Sequence, residues 1–541
     1  MTGAHATRAR ATGAHATRDR VVVVGSGHNG LVAACYLARA GLDVEVVERD
    51  TVVGGAVSTV ERFPGYRMDR GSSAHIMVRH TGIVEDLRLD LCGLEYQDLD
   101  PWGFAPFGDE GITFHVDLDR TCASIEAVCG TRDADAYRAF VLDWSARNTK
   151  VFEAFQGPPS PLNLGRTLWG VGKGTGLDGL ELSRQFLTSG DALLDEHFDD
   201  ERLKTALAWM GAQSGPPTSE VATADLVGWN TVMHLLAPGH PKGGSGMLSE
   251  ALQRRLSSYG GRVRLGDGAA AITSSGSRAT GVLTESGEHL PADTVVGACH
   301  VLRTLELLDT PPGDLLDRAR RTVRTGNGIG MVVRLATNGL PRYPAATDET
   351  YRAMQLLAPS RQFLRRAHGE FNAGLPPERP AALAMTFSAF DDTIAPPGKH
   401  NITVWGQWHP YELSNGETWD GIREREGTKL VEAVDRAAPG FAASVEQMHV
   451  QTPLDLEREL GLRQGQVMHV EMAFDQMFMW RPMPELAGYR VPGLAGLYLC
   501  GASTHPGGGV FGASGRSAAR VALADRHPTP LSRALKAVRR G

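Results

Sequence analysis

The sequence VVVVGSGHNG at residues 21–30 decides the fold. Four consecutive valines predict a buried strand, and the glycines that follow are spaced as in a dinucleotide-binding turn. Gly25 permits the tight turn, Gly27 lets the backbone approach a pyrophosphate, and Gly30 lets the next helix pack against the strand. A helix is predicted over 31–40, ending at Gly41. The stretch therefore predicts the first unit of a nucleotide-binding α/β domain.

A carboxylate and a second glycine loop extend this half-site. Glu48 ends the second predicted strand, 44–47, at about the distance past the glycines where an acidic residue accepts the ribose hydroxyls of an adenosine. The loop 54–58, GGAVS, follows directly. A second loop of bare backbone suits a cofactor whose ribityl and flavin continue beyond the pyrophosphate. The pattern favours FAD over NAD.

A matching segment lies near the other end of the chain. Residues 496–515, GLYLCGASTHPGGGVFGASG, read as a short strand, a glycine-dense turn and a helix of small residues. We expect both ends of the chain to hold one cofactor, with this segment at the flavin. The helix that begins after Gly509-Val510 would direct its positive N-terminus towards the pyrimidine side of the flavin.

These motifs together resemble a known family. The run ER-x4-GGA-x-S from Glu48 and the run GASTHPGGGV from Gly501 look like the bacterial phytoene desaturase-type flavoproteins, above all their pyridine-nucleotide-disulphide-oxidoreductase-like branch. Further matches lie at 396–400, 407–411 and 469–482, so the resemblance covers nearly the whole chain after residue 20. It implies an FAD-dependent oxidoreductase that desaturates C–C bonds of an apolar polyene or acyl-type molecule by hydride transfer to flavin N5.

The expected fold class is α/β. A Rossmann-like, glutathione-reductase-type FAD-binding domain would be assembled from 20–90, 240–300 and 490–525, with an inserted α+β substrate domain from 91–239 and 301–489. Residues 1–19 and 526–541 are predicted to be tails. Within the middle block a helix is predicted over 248–256, with strands over 262–265, 281–283 and 294–296.

The loops and the resemblance together define a set of cofactor-binding residues. The resemblance adds the backbone around Ala270, which would meet the adenine. The predicted residues are Gly25, Ser26, Gly27, His28, Asn29, Gly30, Glu48, Arg49, Gly54, Gly55, Ala56, Val57, Ser58, Ala270, Gly501, Gly509 and Val510.

Three residues are candidates for catalysis. His505 lies in the flavin-side loop in a setting that resembles the family, and it would either face the reaction chamber or brace the turn. His469 and Glu471 would share one face if 467–472 is a strand. They would then be either an acid/base pair in the pocket or polar residues facing water.

Composition bounds the partners. A formal net charge of -7 argues against a general nucleic-acid surface, and the histidines and cysteines form no metal-ligand pattern. The six cysteines lack a C-x-x-C pair, which favours a reduced cytoplasmic protein. No apolar run reaches the roughly 18 residues of a membrane span. A peripheral membrane contact at 162–186 and a carrier protein for a tethered acyl group stay open.

The other glycine-rich stretches, 170–176 and 326–330, neither follow a predicted strand nor open a helix. They predict no second dinucleotide domain, so the flavin would be reoxidised by an external acceptor, oxygen or a quinone. Three other functions stay open. A flavin amine oxidase would need an aromatic cage, for which Trp405, Trp408 and Tyr411 are the candidates. A redox-neutral flavin isomerase would consume no acceptor, and a flavin-bound lipid-binding or scaffold protein would not turn over.

Overall fold

A computed structural model describes residues 19–527, apart from 163–164, 167–168, 171 and 173–178. The predicted N-terminal tail lies outside the described residues except for Asp19. Most of the predicted C-terminal tail and part of the segment 162–186 also lie outside them.

The strands of the described chain are β1 Arg20–Val24, β2 Asp43–Val47, β3 Thr59–Phe63, β4 Tyr66–Asp69, β5 Tyr96–Asp98, β6 Gly103–Phe107, β7 Glu110–Phe114, β8 Gly239–Pro241, β9 Arg262–Arg264, β10 Ala269–Ser275, β11 Arg278–Thr284, β12 His289–Pro291, β13 Thr294–Gly297, β14 Gly328–Thr337, β15 Met354–Leu357, β16 Ala382–Met385, β17 His400–Pro410, β18 Val445–Gln451, β19 Arg490–Val491 and β20 Leu494–Leu499. The α-helices with defined bounds are α1 His28–Arg39, α2 Ile83–Asp86, α3 Leu118–Cys129, α4 Thr131–Phe155, α5 Gly179–Leu187, α6 Gly190–His197, α7 Glu201–Gly211, α8 Ala224–Gly228, α9 Gly246–Ser258, α10 Val301–Glu306, α11 Leu315–Thr322, α12 Arg361–Asn372, α13 Trp419–Ala437, α14 Pro453–Leu460 and α15 Ala513–Arg526.

The larger sheet has the strand order β10-β11-β20-β13-β1-β2-β9, with β12 on β11 and β19 on β20. Its centre is parallel, because β1 pairs in parallel with β2 and β13, and β13 pairs in parallel with β20. Parallel strands end at the same edge of a sheet. The loops after β1, β13 and β20 therefore meet at one crevice, where such folds bind their ligands.

The four valines of β1 are buried on both faces, as the apolar run predicts. Val21 and Val23 pack with α1, α9 and α15, and Val22 and Val24 pack on the opposite face with α10 and α11. Helices on both faces of a mostly parallel sheet confirm the predicted Rossmann-like α/β fold.

The second sheet has the order β18-β14-β17-β16-β15-β6-β7 and is antiparallel except between β15 and β6. One face packs on α13 through alternate residues such as Val333 and Val404. The other face turns towards the helices α3, α4, α6 and α7 and shares a core with them. This second face also supplies one wall of the cavity described below.

Glu45 fixes the edge of the larger sheet with a buried carboxylate. Arg20 and Arg262 each donate to it through Nη2, at 3.1 and 2.9 Å, and Arg264 donates through Nε at 3.2 Å. These arginines keep the pKa of Glu45 below its usual value although burial alone would raise it. The charged carboxylate therefore stabilises the contact of β2 with β1 and β9.

We predict that Glu45→Gln lowers the free energy of unfolding at neutral pH by about 2 kcal/mol, because hydrogen bonds to a charged group are lost. Because the folded pKa is depressed, this contribution is complete above the pKa of an unfolded glutamate, about 4.3. It is lost as the pH falls through the lower folded value. Urea unfolding at several pH values measures both effects.

The matched control is Glu288→Gln, which removes an exposed carboxylate that also accepts from Arg264. An exposed pair contributes at most about 1 kcal/mol, so its effect should be clearly smaller. Equal effects of the two substitutions would show that the burial of Glu45 adds nothing.

Candidate active site

One cavity of about 690 Å³ runs from the carboxyl edge of the larger sheet to the second sheet. Its lining includes Val24, Ala298 and Gly501, which stand at or just after the ends of β1, β13 and β20. At its other end the lining includes Val332 and Trp405, which lie on β14 and β17. A single space thus connects the predicted cofactor site with the predicted substrate domain.

The first glycine loop fits a dinucleotide by its shape. Gly25 has a φ of +103°, which favours glycine, and a methyl group on Gly30 would lie 2.4 Å from the carbonyl oxygen of Gly25. A methyl group on Gly27 would meet no atom of the protein within 4 Å, and Gly27 lines the cavity. Gly30 therefore serves packing, whereas Gly27 leaves room for a ligand against bare backbone.

His28 and Asn29 also line this part of the cavity. His28 Nε2 and Asn29 Nδ2 lie 3.0 Å apart. Burial lowers the pKa of His28 to about 4, so the ring is neutral at pH 7. The imidazole of His28 therefore contributes no positive charge to the binding of a pyrophosphate.

Glu48 lines the cavity where the ribose of a dinucleotide is expected. Its Oε2 accepts from the Ser26 backbone N–H and from Ser26 Oγ, both at 2.8 Å, and Oε1 accepts from the Asp50 N–H at 3.0 Å. Ser26 is buried and does not line the cavity, so its part is to hold Glu48. Arg49 is exposed at the cavity mouth.

The second glycine loop also forms part of the wall. Gly54, Gly55, Ala56 and Val57 line the cavity. Ser58 does not; its hydroxyl donates to the Gly55 carbonyl at 2.6 Å and braces the loop from behind.

Ala270 is placed differently from the expectation. It is exposed and does not line the cavity. Alternate residues of a strand point to opposite sides, and here the wall is made by Gly268 and Ala269. Strand β10 therefore lines the cavity through Ala269, one residue before Ala270.

The C-terminal loop closes the site from the other end of the chain. Gly501, Gly509 and Val510 all line the cavity, as do Gly508 and Phe511. The following helix begins at Ala513, after Gly512 with a φ of +72°. The Gly501 N–H donates to Ser514 Oγ at 3.0 Å, so this helix and the loop hold each other.

Arg481 organises the adjoining wall. Its side chain is fully buried and donates to the carbonyl groups of five residues, and burial lowers its pKa to about 9. The accepting residues are Met468, Val470, Glu471, Gln476 and Ala502. One cation therefore ties the segment 468–476 to the C-terminal loop.

This arrangement overturns the predicted strand over 467–472. The carbonyl groups of the segment turn inward to Arg481, so they do not form a ladder, and the structure has no strand there. His469 has a φ of +64° and lines the cavity. Glu471 does not line it; its Oε2 accepts from Arg324 Nε at 2.8 Å. The two side chains are not brought together as a pair.

His469 is held between two partners. Its Nδ1 lies 3.2 Å from Ser503 Oγ, and its carbonyl oxygen accepts from His300 Nε2 at 2.9 Å. The rings of His300 and His469 are stacked with centroids 5.6 Å apart. Burial, then His300 and Arg481, lower the pKa of His469 well below its usual value. The imidazole on the cavity is thus neutral at pH 7.

His505 does not line the cavity. It is buried between the rings of Phe155 and Phe478, its Nε2 lies 3.4 Å from the Ala154 carbonyl, and burial lowers its pKa to about 4. The structure therefore does not favour the alternative in which His505 faces the reaction chamber. Its backbone carbonyl accepts from Tyr489 Oη at 2.8 Å, which fits the bracing alternative.

The substrate end of the cavity has an apolar lining of which only Trp405 was singled out from the sequence. Four neighbouring strands, β14 to β17, present one face to it, and helical segments oppose that face. The strand residues are Val332, Met354, Leu383, Met385, Thr403 and Trp405, and the opposing apolar residues are Met210, Leu226, Trp229, Val232 and Met233. None of these side chains carries a charge. Alternation along the strands is the only sequence signal, and it does not say which face meets a cavity.

Some charged residues of the lining lie beside Arg49. A methyl group on Gly461 would lie 2.9 Å from Arg49 Nη2, which places the end of α14, with Glu457 and Glu459, beside the nucleotide end of the cavity.

Among the described residues, no group of histidine, cysteine or carboxylate side chains could hold a metal ion. No helix of the described chain is long and apolar enough to cross a membrane.

Comparisons with known proteins agree with this geometry. Residues 23–87 match a family model described as an NAD(P)-binding Rossmann-like domain. The chain is 31% identical over 560 residues, 93% of each chain, to pyridine nucleotide-disulfide oxidoreductase domain-containing protein 2 of Mus musculus. It is 28% identical to the phytoene dehydrogenase of Streptomyces griseus, over 91% of this chain and 92% of the relative.

Solved structures share the fold. The wild-type putrescine oxidase bound to putrescine matches with a TM-score of 0.61 at 14% identity, over 94% of this chain and 99% of that chain. An oxidoreductase from Methanosarcina mazei matches with a TM-score of 0.60 at 15% identity, over 93% and 99%. At these identities the likeness concerns the fold alone.

We predict that Gly27→Val leaves the protein folded but unable to retain FAD, because the new side chain enters the space kept free for the ligand. An overlap that costs about 3 kcal/mol weakens binding by roughly 100-fold. Flavin absorbance after gel filtration measures whether the variant retains FAD, and the thermal midpoint of the apoprotein measures whether it stays folded.

Gly30→Val is the contrasting variant, because its side chain would meet protein atoms rather than ligand. It should lower the thermal midpoint of the apoprotein as well. If Gly27→Val retained its flavin, the cavity beside Gly27 would not be the pyrophosphate site.

Proposed function

The chain belongs to the phytoene desaturase-type family of FAD-dependent oxidoreductases, in its pyridine nucleotide-disulfide oxidoreductase-like branch, and from this premise we propose that it desaturates C–C bonds of a largely apolar small molecule. The substrate class is a polyene or an acyl-type chain. The observation that supports this choice is the uncharged wall at the substrate end of the cavity.

That wall suits an apolar chain for a physical reason. Burying apolar surface is worth about 25 cal/mol for each Å² removed from water, and the wall presents methionine, leucine, valine and tryptophan side chains. Methionine is flexible and polarisable, so Met210, Met233, Met354 and Met385 can adapt to a long unsaturated chain. The same lining gives an ammonium group no carboxylate partner.

The cofactor would be held by the glycine loops, Glu48 and the C-terminal loop. A bound flavin supplies the capacity to accept a hydride. The residues of the chain bind and orient the substrate, exclude water from the apolar end and keep the imidazole of His469 neutral beside the reacting space. Orientation of this kind can supply a large part of a rate enhancement without a strong base.

The amine oxidase alternative has less support. Its aromatic cage was predicted from Trp405, Trp408 and Tyr411, but only Trp405 lines the cavity. Trp408 Nε1 donates to the Gly215 carbonyl at 2.8 Å, and Tyr411 donates to Glu457. Trp408 and Tyr411 thus each have a separate structural partner, and the three rings do not form a cage.

For reoxidation we propose an external acceptor, oxygen or a quinone. The described chain contains one sheet with a dinucleotide crevice, and its second sheet is mainly antiparallel. A reductase site for a nicotinamide cofactor therefore has no second crevice of this kind among the described residues. A redox-neutral isomerase would need no acceptor, and consumption of oxygen or quinone separates the two.

We predict that the purified protein is yellow and shows the flavin absorption band at about 450 nm. Under anaerobic conditions a polyene or an acyl thioester should bleach this band, and amines should not. Met385→Glu, which puts a charge in the apolar wall, should abolish the bleaching. The matched control Met448→Glu lies on β18 away from the cavity and should bleach normally. Bleaching by amines alone would refute desaturation.

We predict that the limiting rate of flavin reduction shows no histidine titration between about pH 6 and about pH 8, although a free imidazole titrates near 6.5. The reason is the lowered pKa of His469, which keeps the ring neutral throughout this range. His469→Gln should slow reduction by about tenfold through lost orientation. An inflection near pH 7 that this variant removes would contradict the prediction.

A further inference from the structure

Arg334 is a buried cation without a carboxylate partner. It lies on β14, its side chain is fully buried, and it forms no ion pair with any described residue. The two carboxylates that raise its pKa, Asp69 and Glu459, have other partners. Asp69 accepts from Thr59 Oγ1 at 2.7 Å, and Glu459 pairs with Arg62 at 2.7 Å.

Neutral groups hold this guanidinium in place. Nη1 donates to Thr403 Oγ1 at 2.6 Å and to Ser73 Oγ at 3.1 Å, and Nη2 donates to the Gly71 carbonyl at 3.1 Å. Its Nε is buried and has no partner among the described residues. Burial lowers the pKa of Arg334 only to about 10, so it is charged at neutral pH. An unpaired buried charge is costly unless something compensates it.

Ser73 and Thr403, whose hydroxyls accept from Nη1, both line the cavity. Each hydroxyl has one hydrogen of its own to donate, and neither has another recorded partner in the described chain. Thr403 lies within the uncharged wall, between Arg334 on β14 and Met385 on β16. Arg334 thus stands behind two donors that face the ligand space, and it polarises both towards an incoming negative charge.

We propose that Ser73 and Thr403, backed by Arg334, form a binding site for the carboxylate of an otherwise apolar ligand. The two hydroxyls donate to the carboxylate oxygens. The positive charge of Arg334, which lies behind the hydroxyls, compensates the negative charge of the ligand. This deepens the proposed function, on which it rests for the use of the same cavity, by favouring a fatty-acid-like substrate over a hydrocarbon. The apolar wall then receives the chain, and the hydroxyls fix its end.

Calorimetry of the flavin-loaded protein with three probes tests this site. Decanoate, methyl decanoate and decyltrimethylammonium have similar unbranched chains and a negative, a neutral and a positive end. We expect decanoate to bind most tightly. Thr403→Val keeps the shape of the side chain but removes the hydroxyl, and it should weaken decanoate binding by about tenfold or more while leaving the trimethylammonium probe unchanged.

Ser73→Ala should act in the same direction, and Arg334→Met should abolish the preference for decanoate if that variant folds. The matched control is Thr337→Val, which removes a buried hydroxyl further along β14 that donates to the Gly339 carbonyl. It should leave the order of the three probes intact.

Two results would overturn the proposal. Equal weakening of all three probes in Thr403→Val would show that Thr403 contributes only packing. A shifted flavin spectrum in ligand-free Thr403→Val, with unchanged decanoate binding, would assign the hydroxyls to the flavin. Because calorimetry needs no turnover, decanoate binding without bleaching by any substrate would refute desaturation and keep this site.

Discussion

The shape of the cavity depends on a close backbone contact between α1 and α15. A methyl group on Gly515 would lie 2.1 Å from the carbonyl oxygen of Asn29 and 3.0 Å from the backbone nitrogen of Ala33. Only a residue without a side chain permits this approach, and it brings the C-terminal loop against the first glycine loop. The cavity has its shape because these two backbones touch. The position of the C-terminal loop beside the first glycine loop depends on that contact.

Two buried arginines, Arg481 and Arg334, hold the walls of the cavity in place. Arg481 satisfies backbone carbonyl groups from two segments, so it gives the chain around His469 a fixed path without regular secondary structure. Arg334 differs from Arg481, because its charge has no carboxylate partner among the described residues and two of its hydrogen bonds go to the hydroxyls of Ser73 and Thr403. Both are cations with neutral partners, but Arg481 donates only to backbone carbonyl groups, whereas Arg334 donates to two residues that line the cavity. That difference separates a structural arginine from a candidate binding arginine.

The sequence was sufficient where chemistry follows from local spacing. The glycine loops, Glu48 and Gly501 line the cavity because the turn geometry itself dictates those residue types. It was insufficient where long-range packing decides, as for His505, whose ring turns towards Phe155, and for the predicted strand over 467–472, whose carbonyl groups are claimed by Arg481. The apolar wall was missed for a related reason: strand alternation gives two faces and does not identify the one left uncovered.

The order of the central strands has a consequence for biosynthesis. The parallel centre places β13 between β1, which is made before it, and β20, which is made after it. Until β20 and α15 are made, the crevice lacks one side and α1 lacks one of the two helices that pack with it. A nascent chain therefore cannot close its nucleotide site before these two elements are made, and complete binding of the coenzyme follows their synthesis.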